Sequence, residues 1–221
     1  MGRRLSSAES TPRTLSRLLA RESAVVAPRL LGSVVWSDIG GNRVAIRLTE
    51  VEAYGGQGED PGSHAYRRLT PRNATMFGPS GRLYVYFTYG MHWCANVVTG
   101  PDGEASAVLL RAGEVIEGLD AARARRPSAA KERDLARGPA RLCAALGLTG
   151  ECDGVDLLSA DSPVRLTLAR RPAPVHAVTA RTGVSGPGAD TPWRFAADDP
   201  TVSPYRPAAT RGRGAPRTGG R

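Results

Sequence analysis

Lysine is nearly absent from this chain of 221 residues: Lys131 is the only one. Chemistry that needs a lysine amine for a Schiff base has that single candidate, in a polar KERD stretch far along the chain from the candidate catalytic segments below. Cysteine is scarce too. Cys94, Cys143 and Cys152 are odd in number and show no C-x-x-C spacing. That argues against a disulfide framework and a zinc site, and fits a reducing cytoplasm. The histidines, His64, His92 and His176, are scattered, so metal catalysis is not expected. No run is long and apolar enough to span a bilayer. The opening MGRRLSSAES lacks the apolar region of a secretory signal. No P-loop and no G-x-S-x-G elbow occurs.

What is present is positive charge. The net charge is +9 and the pI about 10.3, which predicts an anionic partner: nucleic acid first, an anionic membrane surface second. Aromatics make up only 5%, yet the window LYVYFTYGMHWCANVV, residues 83–98, holds Tyr84, Tyr86, Phe87, Tyr89 and Trp93. Its period of two predicts a hairpin broken at Tyr89-Gly90. One face of the return strand carries His92, Cys94, Asn96 and Val98; the other carries Trp93, Ala95 and Val97. Core packing accounts for Phe87 and Trp93. It does not account for Tyr89, because a hairpin tip is wet.

Residues 1–11 and the Pro-, Gly- and Arg-rich residues 206–221 are expected to be disordered, flanking one domain over 12–205. Helices are expected from Thr11-Pro12, over 27–31, over 114–125, and from Gly138-Pro139 to Gly147. Strands are expected over 33–36, 43–54, 105–111, 164–168 and 175–182. Strands with interspersed helices and hairpins suggest a single α+β domain.

Three further segments carry possible chemistry. In RVAIRLTEVEAYGG, Val44, Ile46 and Leu48 alternate on a face that continues through Glu50, Glu52 and Tyr54. Either these acids meet solvent, or a carboxylate sits at the edge of an apolar pocket, where its pKa rises and it serves as acid or base. In HAYRRLTPRNATMFGPSG, Arg67, Arg68 and Arg72 form a basic loop that is either a solvated face or a grip on phosphates. Arg111 ends the buried run Val108-Leu109-Leu110.

Taken together, RLTEVEAY, His64, TPRNATMF, LYVYFTYGMHWCANVV, VLLRAGEVIEG and GPARLCAALG resemble the alkyladenine (3-methyladenine) DNA glycosylase family in order and spacing. RTGVSGPGADTPWRF resembles its closing segment. The resemblance implies a bacterial member, a single α+β domain with a curved antiparallel sheet, a protruding β-hairpin and surrounding helices. It implies a monomeric, cofactor-free, monofunctional repair enzyme, cytoplasmic or at the nucleoid, that acts on double-stranded DNA with damaged purines. The enzyme flips the purine out and hydrolyses its N-glycosidic bond. By the same resemblance Glu52 activates water and Arg111 positions it. Tyr54 stacks on one face of the base, with His64 and Tyr86 toward the other, and Asn96 guards the minor-groove edge. Tyr89 is the wedge, and Arg72, Met76, Met91 and His92 contact DNA; His92 stands where relatives often carry a tyrosine. Glu50 is expected to be structural. The rival of another class is a noncatalytic nucleic-acid-binding module, which leaves both acids unexplained; a hydrolase on another substrate is a further rival.

Overall fold

Alternating β-branched and aromatic runs build one curved antiparallel sheet. Its strands are β1 Val34–Ser37, β2 Val44–Tyr54, β3 Leu83–Thr88, β4 His92–Val98, β5 Ala107–Glu117, β6 Val164–Thr167, β7 Ala177–Thr179 and β8 Arg194–Ala196. The computed structural model describes residues 12–205; the two segments expected to be disordered, 1–11 and 206–221, lie outside the described residues. The strand order is β3-β4-β5-β2-β1-β6, with β8 on β2 and β7 on β8. One edge of β2 is therefore shared: Val44 to Arg47 pair with β1, and Glu50 to Glu52 pair with β8.

Among the described residues four α-helices accompany the sheet: α1 Pro12–Leu19, α2 Ser23–Leu30, α3 Leu119–Arg125 and α4 Pro139–Leu146. In α4 the buried Leu142, Cys143, Ala145 and Leu146 recur at helical spacing. Pro139 suits the first turn, and Gly147 at φ 76° closes the last turn through its N–H. The main core joins Leu19, Leu30, Leu142 and Leu146 to Ile46, Leu48, Val51, Ala53, Val108 and Leu110. A smaller cluster of Ala65, Met76, Tyr84, Val98, Ala105 and Ala107 stands apart from it.

The hairpin, the helix at Pro139 and the α+β class agree with the sequence reading, and four details differ. First, β2 does not keep one face. Its register with β5 runs Leu48↔Gly113, Glu50↔Ala112, Val51↔Leu110, so Thr49 is the extra residue on β2 and Arg111 the extra one on β5. These bulges turn the strand over. Ile46 and Leu48 face the main core before the bulge and Val51 and Ala53 after it, which leaves Glu50, Glu52 and Tyr54 on the opposite side. Arg111 therefore lies at mid-strand, not at a strand end.

Second, 114–117 is strand, not helix. Glu114, Val115 and Glu117 pair with β2, an Arg47–Glu114 ion pair at 2.7 Å spans the two strands, and Gly118 at φ 74° separates β5 from α3. Third, the strand expected over 175–182 shrinks to β7, and the helix expected over 27–31 starts at Ser23, with Pro28 inside its last turn. Fourth, Phe87 is not core: it is 42% exposed and leans on Trp93, ring centroids 4.7 Å apart.

Gly113 sits beside the bulge, where a Cβ would strike the Arg47 carbonyl oxygen and the Ile46 side chain. Gly113→Ala is expected to lose about 1–3 kcal/mol in urea unfolding, the usual range for overpacking. A variant as stable as the parent would show that the two long strands can separate at the bulge.

Candidate active site

The β3–β4 register sets Tyr84 opposite Asn96 and Tyr86 opposite Cys94, so all four side chains share one face of the hairpin. That face walls a cavity of about 320 Å³. Tyr54 of β2, Leu109 and Arg111 of β5, His64, Met76, and the loop from Thr182 to Ser185 add to the wall. The hairpin turns at Thr88, whose carbonyl accepts the Met91 N–H at 3.2 Å. Tyr89 and Gly90 both have positive φ, 51° and 65°, which is the left-handed pair that a tight hairpin turn requires. Tyr89 is the only non-glycine residue with positive φ among the described residues, and it is 84% exposed. Such strain on a bulky residue points to a use for its position. Met91 and His92 are exposed beside it. The Arg72 guanidinium donates to the Phe87 carbonyl at 2.7 Å, tying the basic loop to the hairpin.

Inside the cavity the rings are held in order. His64 meets Tyr86 edge-on at 4.5 Å, and its Nδ1 lies 3.3 Å from the Tyr84 hydroxyl. Partial burial, with Arg72 nearby, lowers the His64 pKa below the ordinary imidazole value. Burial pushes Tyr84 up to about 12 and raises Tyr86 and Tyr54 as well, so the three phenols stay neutral. The Asn96 amide donates to the Tyr84 carbonyl across the hairpin at 3.1 Å. Met76, expected at DNA, is 2% exposed, belongs to the smaller core and lines the cavity.

Tyr54 is held from behind. The Arg181 guanidinium lies 4.6 Å from its ring centroid and is itself paired through two nitrogens with Asp60, one contact at 2.7 Å. The Tyr54 hydroxyl donates to Glu52 at 2.9 Å. Glu52 has no exposed surface. Its carboxylate also accepts the Thr182 N–H at 2.7 Å and pairs with Arg111 Nη1 at 3.1 Å. Instead of an apolar pocket edge, Glu52 occupies a polar seat just behind the wall made by Tyr54, Arg111 and Thr182. Burial works against the Arg111 charge, but Glu52 and Glu50 outweigh it and raise its pKa.

Of the residues expected at the site, Tyr54, His64, Met76, Tyr86, Tyr89, Asn96 and Arg111 line one cavity, and Glu52 backs it. Arg72, Met91 and His92 lie on the outer surface of the same face or its hairpin. Asp60, Arg181, Thr182 and Arg194 were not anticipated. Arg181 and Arg194 fall in the closing segment RTGVSGPGADTPWRF, but nothing local distinguishes them from other arginines. Among the described residues no group of three or more His, Cys, Asp and Glu side chains is placed to hold a metal ion, and no helix is long and apolar enough to cross a membrane.

Residues 17–201 match the methylpurine-DNA glycosylase family. A Streptomyces avermitilis protein, provisionally named a 3-methyladenine DNA glycosylase, is 51% identical over 208 residues, which cover 93% of this chain and 97% of that one. Proteins from Leifsonia xyli and Nocardia farcinica with the same provisional name are 54% and 52% identical, covering 83% and 85% of this chain and 88% and 89% of theirs.

The carboxyls around the site predict an acid limit to stability. Burial alone would raise Asp60, but hydrogen bonds from Arg181 and from the Gly55 and Gly62 N–H groups hold it below its ordinary value. Burial likewise opposes Arg111, Ser203 and Arg194 at Glu50, and the partners prevail. Groups lowered by folding stabilise fully above their unfolded values, near about 4, and that stability is lost as pH falls through the lowered folded values. Asp60→Asn is expected to lose about 3 kcal/mol at neutral pH and to flatten the fall of stability below about pH 4, read by urea unfolding at a series of pH values. An unchanged acid slope would remove Asp60 from this explanation.

Proposed function

We propose that this chain, which belongs to the methylpurine-DNA glycosylase family and is a DNA repair glycosylase, flips alkylated or deaminated purines from duplex DNA and hydrolyses the N-glycosidic bond as a monofunctional monomer. The observation that carries the reading is the Glu52–Arg111 pair directly behind a ring-walled cavity, at the foot of a hairpin that presents Tyr89. A base inside a duplex is out of reach of such a cavity, so it must leave the stack, which costs a few kcal/mol. Tyr89 inserted at the vacated step offsets lost stacking. Tyr54 on one side and His64 with Tyr86 on the other then hold the extruded purine. Stacking of this kind contributes roughly 1–3 kcal/mol per base in single-strand binders.

In the proposed step the C1′–N9 bond breaks and its electron pair leaves with the purine. The sugar carries oxocarbenium character, which the Glu52 carboxylate stabilises. The oxygen of a water bonds to C1′, and the water's proton passes to Glu52. Arg111 orients carboxylate and water. A lesion that is cationic before cleavage leaves as a neutral base and needs no proton from the protein; a neutral lesion leaves as an anion, which the proton released by the attacking water then neutralises. No amine is needed in this step, in keeping with the single lysine, which lies exposed outside the cavity lining. The net charge of +9 supports binding to the DNA backbone, with Arg72, Met91 and His92 beside the wedge. A noncatalytic binding module would give no reason to bury Glu52 against Arg111 at the cavity.

Duplexes that each carry one lesion, incubated with the protein and then treated with alkali, are expected to break at the lesion only after the alkali step. Glu52→Gln is expected to reduce excision by roughly 10³-fold while lesion binding persists. Turnover near the parent rate in that variant would remove Glu52 from the chemistry.

Asn96 tests how normal guanine is refused. Its amide is already committed to the Tyr84 carbonyl and so held rigidly at the cavity wall. A fixed polar group can exclude by clash the exocyclic amine that distinguishes guanine from hypoxanthine. Asn96→Ser is expected to raise guanine release while hypoxanthine release changes little, measured in one sequence context. Equal loss of both activities would leave Asn96 a structural residue.

A further inference from the structure

Glu50 stands two residues before Glu52, has no exposed surface and does not line the cavity. Its Oε1 accepts Nε of Arg111 and Nε of Arg194, each at 2.7 Å, and its Oε2 accepts the Ser203 N–H at 2.7 Å. Arg194 is anchored in turn: it donates to Thr179 Oγ1 at 3.2 Å and to the Ser203 carbonyl at 3.3 Å, and its guanidinium lies 5.2 Å from the Tyr205 ring. The result is a continuous buried row, Arg194–Glu50–Arg111–Glu52, whose last member is the carboxylate behind the cavity. Arg111 is gripped at Nε by Glu50 and at Nη1 by Glu52, so its plane is set from both ends. With Glu50 removed, only the Glu52 end of that grip would remain.

We propose that Glu50 and Arg194 are positioning residues for the reaction: Arg194 fixes Glu50, and Glu50 fixes the guanidinium of Arg111 and shares its charge with Glu52. The proposal rests on the reading of Glu52 and Arg111 given above. Positioning shells of this type set activity without touching substrate.

Charge sharing makes a directional claim. Facing Glu52 are Tyr54 and Glu50 from its own strand, Arg111 from β5, the Thr182 N–H and the more distant Arg181 from the loop after β7, and Tyr86 and Cys94 from the hairpin. Arg194 of β8 acts through Glu50. Burial holds Tyr54, Tyr86 and Cys94 neutral, so the charges in play are the two carboxylates and the arginines. Loss of negative charge at Glu50 leaves Arg111 to act on Glu52 alone and favours its charged form. Loss of positive charge at Arg194 draws Arg111 toward Glu50 and disfavours it.

The test is single-turnover excision from lesion duplex, with enzyme in excess, across the acid limb of the rate profile. Glu50→Gln is expected to be roughly tenfold to a hundredfold slower, with its acid limb displaced downward by about one pH unit and lesion binding within about twofold of the parent. Arg194→Gln should be slowed comparably, with the limb displaced upward. Arg194→Lys keeps the charge and should restore the limb to its parent position. If Glu50→Gln does not fold, the Arg194 pair decides alone. Parent release with identical limbs in Arg194→Gln and Arg194→Lys, or with limbs of Glu50→Gln and Arg194→Gln moved the same way, overturns the positioning role only. No release by the parent overturns the functional reading beneath it.

Discussion

Two carboxylates two residues apart on one strand, both without solvent, are the constraint around which this protein is arranged. An isolated buried carboxylate is untenable, and a buried pair of like charges is worse. Here each is answered by arginine from a different strand: Arg111 from β5 touches both, and Arg194 from β8 touches Glu50. The bulge at Thr49 and Arg111 is what brings these side chains to one side of the sheet. The final segment closes it, through Ser203 on Glu50, Thr201 on Thr49 at 2.8 Å, and Arg137 on the Val202 carbonyl at 2.9 Å. Hydrophobic residues of similar volume would often serve stability as well or better. The chemistry proposed at Glu52 gives a reason to bury so costly a network.

Around that network the structure divides into a stiff seat and a projecting arm. The seat is stiff because its polar groups are occupied. Asp60 takes Arg181, Gly55 and Gly62; Arg181 backs Tyr54; Tyr54 holds Glu52. A small movement of one member would strand another buried donor, so the rings around the cavity keep their order. The arm is different. Its tip spends strain on a left-handed tyrosine and leaves that ring in water. The two halves suit two tasks in the proposed reaction: invasion of a duplex by an exposed ring, and hydrolysis in a seat that does not yield.

Several features were legible before any coordinates. The hairpin showed as a period of two interrupted at Tyr89-Gly90, and α4 as a span opened by Gly138-Pro139 and closed at Gly147. These signals are local, so they survive folding. The helix expected over 114–125 drew on an equally local spacing of Val115, Leu119 and Ala122, and over 114–117 that reading failed, because pairing with β2 outweighed it. Phe87 failed for a related reason: its strand face is defined by what packs on it, and there the ring leans on Trp93 with 42% of the residue exposed. Asp60 and Arg194 could not be singled out, since their partners Arg181 and Glu50 lie 121 and 144 residues away.

By itself the sequence determined the elements whose signals are short-range, the basic charge that favours DNA, and the order of motifs that marks the family. Alternation, turn glycines and helix caps depend on neighbours a few residues apart, and net charge depends on no geometry at all. The tertiary structure decided which way the acids face. Strand alternation predicts that Glu50 and Glu52 share a side with Val44, Ile46 and Leu48, and one extra residue at Thr49 reverses that prediction. A bulge is the outcome of two long strands accommodating each other across more than sixty residues of chain, as the separation of Arg111 from Glu50 by 61 makes concrete. No window short enough to show a period contains both partners, so the row of charges that ends at Glu52 exists only once the sheet has formed.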